Sequence, residues 1–234
     1  MTNSICTSQI RAARIAGAAY FIIIASSILF MILGPFKLIV KGNTEATFLN
    51  ISANELLFRG GAIYDLATYA GVVILSVALF VVLKPVNKNL ALVAMLWRLG
   101  EAVLGCLTAV LGSLTILLLL SGKDYLSAFG AEQRQALVSL LLDVNSAAIS
   151  IVFVFLSLGS IVYCYLFYRS RYIPRVLAVF GILTFTITLV GTFAGILYPN
   201  DALMMFGAPA ILFEITIGLW LWIKGIKVEQ GENT

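Results

Sequence analysis

Histidine is absent from this chain, and only 11% of its residues are charged. The first absence excludes His-dependent catalytic triads, His-ligated zinc and His-based proton relays. The second separates the chain from soluble domains, in which about 25% of residues are charged. Cysteine is scarce too. Cys6, Cys106 and Cys164 form no CxxC pair, and the last two sit in apolar surroundings. An inert buried thiol is the expected state there. There is no GxSxG nucleophile elbow and no metal-ligand spacing, so no cofactor and no metal is expected.

What is present is apolar. Hydrophobic residues make up 61% of the 234, and mean hydropathy is +1.04. A soluble fold cannot hide that much apolar surface, so the lipid bilayer is the expected solvent. The net charge of +4 is no nucleic-acid signal, because the basic residues cluster at the ends of apolar runs. The sequence predicts an all-α fold, a polytopic bundle forming a single membrane domain over 1–234. Its six spans cover about 12–34, 55–83, 90–120, 136–168, 176–198 and 203–223. The first is too long for a signal peptide and ends at Gly34-Pro35. Pro85 closes the second. Residues 36–54 read as a loop with one short interfacial helix.

Six spans leave both termini on one side. Arg11, Arg14, Lys84, Lys88, Arg169, Arg171, Arg175, Lys224 and Lys227 would share that side, and Lys37, Lys41, Lys123 and Arg134 the other. The excess predicts cytoplasmic termini by the positive-inside rule. Tyr163, Tyr165, Tyr168, Tyr198, Trp220 and Trp222 lie near span ends and read as interfacial anchors.

Small and polar residues recur at spacings of three and four. The third span has Arg98, Glu101, Gly105, Thr108, Gly112 and Thr115, and the fourth has Ser139, Asp143, Ser146, Ser150, Phe153, Ser157, Ser160 and Cys164. The second has Ala62, Asp65, Tyr69, Val72 and Ser76, and the fifth has Gly181, Thr184, Thr188, Gly191 and Gly195. Such stripes share a helical face. For the hydroxyl and glycine positions, close helix packing accounts for them without a ligand.

The ionisable residues are harder to dismiss, because charges inside spans are costly and face the bundle interior. Asp65, Glu101 and Glu214 each lie roughly 15 Å from a helix end, at about 1.5 Å per residue, near the bilayer midplane. Arg98 and Glu101 are one turn apart and can meet within one helix. The expected pairings are Arg59 with Asp143, and Arg98 with Glu101, Asp65 or Glu214. Two arginines then face four acids. At least one acid is expected to hold a proton near neutral pH, because unpaired negative charge is unstable in a low dielectric. Pro209, five residues before Glu214, is placed to kink the sixth span.

Asp65, Arg98, Glu101 and Glu214 are therefore the candidate site for a small molecule or a proton, with Arg59 and Asp143 as a supporting ion pair. Mixed signs suit a zwitterion, a weak acid or a proton-coupled solute. So small a carrier would need to act as a homodimer. The competing reading is an accessory subunit whose acids pair with a membrane partner. Catalysis is the weakest reading: Tyr64-Asp65 matches half of the intramembrane aspartyl protease signature, but the GxGD half is missing.

Four stretches carry a family resemblance: ARIAGAAYFIII at 13–24, the block FR…YDLATYAGV…LKPVNKNLALVAMLWRLGEAVLG within 58–105, YRSRYIPRVLAVFGIL at 168–183, and FEITIGLWLWIKGIK at 213–227. With these the chain resembles the bacterial integral-membrane family known as domain of unknown function 4386. The resemblance implies a multi-span helical protein of the cell membrane. It implies no substrate, reaction, cofactor or site residue.

Overall fold

The computed structural model describes residues 2–40, 42–121, 128–198 and 206–227. Lys41, Lys123 and the first residues of the sixth predicted span lie outside them. The described residues are helical, joined by short turns. The helices are α1 (Thr2–Leu33), α2 (Thr44–Ala53), α3 (Glu55–Leu83), α4 (Lys88–Leu120), α5 (Ala131–Ser170), α6 (Arg175–Leu197) and α7 (Ala208–Ile223).

Five of these helices carry stretches long and apolar enough to cross a membrane: Thr7–Ile28, Glu55–Leu83, Lys88–Leu120, Ala131–Ser170 and Arg175–Leu197. The region of the sixth predicted span is α7, with 16 residues. That is about 24 Å of helix, short of a hydrocarbon core of about 30 Å. Pro209 does not kink it. It sits in the first turn of α7, where its missing N–H is not needed. The helix simply starts at the proline. The predicted short helix within 36–54 is α2, capped by the Asn43 side chain accepting from the Ala46 N–H at 2.9 Å.

The chain divides into two compact units, and the division falls within α1, α3, α4 and α5. The first unit comprises Met1–Ile24, Gly71–Glu101 and Phe153–Thr234, and the second Ala25–Ala70 and Ala102–Val152. The core of the first unit is built on Leu75, Leu79, Leu83, Leu166, Phe167, Phe185, Phe213 and Ile217. Phe213 meets the Phe185 ring edge-on at 5.6 Å between centroids. Here α1 and α7 touch backbone to backbone. A Cβ at Gly17 would stand 2.3 Å from Trp222 N and 2.7 Å from Gly218 O, so no side chain fits. The second unit has a smaller core of Leu38, Ile51, Phe58, Ile116, Leu117 and Val138.

The polar stripes resolve into different things. In α6, Gly181, Thr184, Thr188 and Gly191 are buried. The Thr184 and Thr188 hydroxyls donate to carbonyls of their own helix, at Gly181 and Thr184. Thr108 and Ser76 do likewise, to Gly105 and Val73. These hydroxyls satisfy themselves locally and leave a small, smooth face for packing. The α4 stripe is buried from Arg98 to Gly112. A π-helical stretch, Val110–Leu114, then shifts the register, so that Ile116 and Leu117 take the buried positions and Thr115 loses its place. The α5 stripe is buried only at Ser157, Ser160 and Cys164, while Asp143, Ser146 and Phe153 are exposed. The spacing in α5 is regular, but three of the eight stripe positions face out.

Candidate functional site

Arg98 sits in the middle of α4, within the first unit, and is 2% exposed. It is the largest of the fully buried side chains. Its Nη1 lies 2.8 Å from Glu101 Oε2, one turn along the same helix. This is the pairing that the spacing of three allows. The Ser160 hydroxyl on α5 accepts from Nη1 at 3.5 Å, the outer edge of hydrogen bonding. Space for the arginine stem comes from Gly159, also on α5. A Cβ there would fall 2.9 Å from Arg98 Cγ.

Glu214 on α7 acts on the guanidinium by charge, and Tyr20 on α1 and Tyr163 on α5 are its neighbours. Glu214 also acts on Glu101. One cation and two carboxylates therefore share the core of one unit, drawn from α4 and α7. Tyr20 and Tyr163 are buried beside them. Tyr163 donates its hydroxyl to the Ser76 carbonyl at 2.9 Å. That corrects its reading as an interfacial anchor, because it is a core residue with its polar tip on α3. The cation contacts of the anchors fall elsewhere: Arg175 stands over Tyr168 at 5.3 Å, and Lys224 over Trp220 at 4.5 Å.

The pairing within this cluster is incomplete. Arg98 Nε is buried without a hydrogen-bond partner. Glu101 Oε2 stands 2.8 Å from Nη1 but outside hydrogen-bond geometry, so it too is left without a hydrogen bond. Ser157 Oγ, one turn from Ser160, is a third buried atom left unpartnered. Most buried polar groups in folded proteins are bonded.

The other candidate residues belong to the second unit. Asp65 belongs to the second unit, on α3, and is half-buried. Arg59 does not pair with Asp143. Its Nε donates to Glu55 Oε1 at 2.9 Å, with both side chains about half exposed. The reason is local, since a carboxylate four residues earlier on the same face needs no second helix. Asp143 is exposed on α5. Tyr20, Tyr163 and Gly159 were not singled out as neighbours of the charge. Tyrosine buried in an apolar run was the available signal, because its hydroxyl must find a partner.

Fold and site together define a class: a multi-pass helical membrane protein with a charged cluster buried among its helices. Residues 15–225 match the family described as Domain of unknown function (DUF4386), and the chain belongs to that family. The match takes in Arg98, Glu101 and Glu214. No curated protein and no solved structure matches the chain.

Proposed function

We propose that this is a six-span bacterial cell-membrane protein, with both termini cytoplasmic, that binds or carries a small solute or a proton at the cluster of Arg98, Glu101 and Glu214. The carrying observation is the incomplete pairing of Arg98 and Glu101 while both are buried. A network kept only for packing gains little from open valences, since a half-satisfied buried pair is less stable than an apolar core. Open donors and acceptors beside a surplus carboxylate suit a ligand that brings its own. The chemistry fits a zwitterion or weak acid, whose carboxylate would meet Arg98 and whose proton or ammonium would meet Glu101 and Glu214. Asp65, in the second unit, is proposed as a further acid that binds a proton. The loop charges support the six-span topology.

The test is a thermal-stability screen of the purified protein against zwitterions and weak acids between pH 5 and 9. The expected result is a compound that raises the melting temperature of the wild type and not of Glu101→Gln. Absence of any response, with Glu101→Gln as stable as the wild type, sinks the reading.

A second reading rests on Glu214, which is only partly buried on α7. Its open side would suit a cationic partner helix, and the chain would then be an accessory subunit. A stable purified chain with no copurifying protein argues against that reading.

A further inference from the structure

A groove of about 800 Å³ opens between α1 and α3 within the first unit, away from the charge cluster. The two helices run antiparallel and are fastened at two levels. The Gln9 side chain donates to the Val82 carbonyl at 3.1 Å. At the other level Gly71 lets Ile23 come close, and a Cβ there would be 3.1 Å from Ile23 Cγ1. Between these fastenings the small, buried Ala12 and Ala78 line the groove.

The walls of the groove differ from end to end. Thr7, Ser8 and Arg11 line the end level with Val81. Ile15, Val73, Ile74 and Val77 line the rest. Each wall spans nine residues, about 12 Å from first to last. Arg11 is exposed, and Lys84 and Lys88 are exposed in the turn just beyond the polar end. The polar end thus carries positive charge, and the apolar walls run away from it along the helices. An amphipathic slot of this kind suits one amphiphile with a negative head.

We propose that this groove holds one anionic phospholipid. Its phosphate is held by Arg11 with the Ser8 hydroxyl, and the upper part of an acyl chain lies along Val73, Ile74 and Val77. Basic pockets between membrane helices select acidic headgroups in this way, and arginine favours phosphate through paired N–H donors. The proposal is independent of any ligand at Arg98.

The experiment uses the full chain, purified in an uncharged detergent. Melting is followed while dioleoyl phosphatidylglycerol, dioleoyl phosphatidylcholine or inorganic phosphate is added. Phosphatidylglycerol is expected to stabilise the wild type, and the other two are not. Arg11→Gln should need roughly tenfold more phosphatidylglycerol for the same shift, the loss of one charge-assisted contact. Arg11→Lys should keep most of the response. Arg169→Gln, which removes an exposed arginine outside the groove, should keep all of it. Val77→Trp, which fills the apolar wall and leaves Arg11 in place, should abolish it. Stabilisation by inorganic phosphate alone would mean a free-anion site and overturn the lipid assignment. So would equal losses in Arg11→Gln and Arg169→Gln, or an undiminished response in Val77→Trp.

Discussion

The two units hold the same sequence signal in opposite settings. In the second, Glu55 and Arg59 are four residues apart on α3 and pair at the surface, about half exposed. In the first, Arg98 and Glu101 are three apart on α4 and pair in the core, at 2% and 4% exposure. An exposed pair contributes about 0–1 kcal/mol, because solvent already serves both charges. A buried pair has given up that solvent, and neither partner tolerates the loss of the other. Spacing alone therefore tells which charges can meet, and burial tells what the meeting is worth.

The sharpest way to break this contrast is Arg98→Met. It strands Glu101 in the core and should cost about 3–5 kcal/mol or prevent folding. Fluorescence-detected size exclusion after a heating series would show it. The glycine contacts come next. Gly17→Ala in the first unit drives a Cβ onto the backbone of α7, which cannot turn aside. It should cost about 3 kcal/mol. Gly105→Ala in the second unit meets the Tyr69 ring, a side chain and not backbone. About 1 kcal/mol is expected there, so melting curves should rank the two variants in that order. The smallest effect belongs to Glu55→Gln, at most about 1 kcal/mol, and it should shrink further in high salt. A Glu55→Gln loss as large as that of Arg98→Met would erase the distinction between the units.

Much of the helical layout was legible. Apolar runs of twenty residues with proline and charged residues at their ends have few other solutions, and α3 begins and ends as expected at Glu55 and Leu83. The Arg98–Glu101 contact was legible for the same reason, as both residues sit on one helix. Contacts between helices were not. The expected pairing of Arg59 with Asp143 passes over a nearer acid, Glu55, one turn away on α3. The regular stripe of α5 could not show that Asp143 faces out and Ser160 faces in, because periodicity marks a face and not what covers it. The π-helical stretch in α4 displaced Thr115 for a reason no spacing rule contains. Tyr163 lies close to a span end in sequence, yet it shares the buried face of α5 with Ser160 and Phe167.

The most direct test of the charge cluster is the double variant Arg98→Met/Glu101→Leu, melted with and without the compound that stabilises the wild type. Replacing a buried ion pair by apolar residues of similar volume is often neutral or stabilising. The account predicts a folded protein, at least as stable as the wild type, whose response to the compound is lost. A double variant that still responds as the wild type does, or one that fails to fold, would contradict it and make the pair a part of the packing.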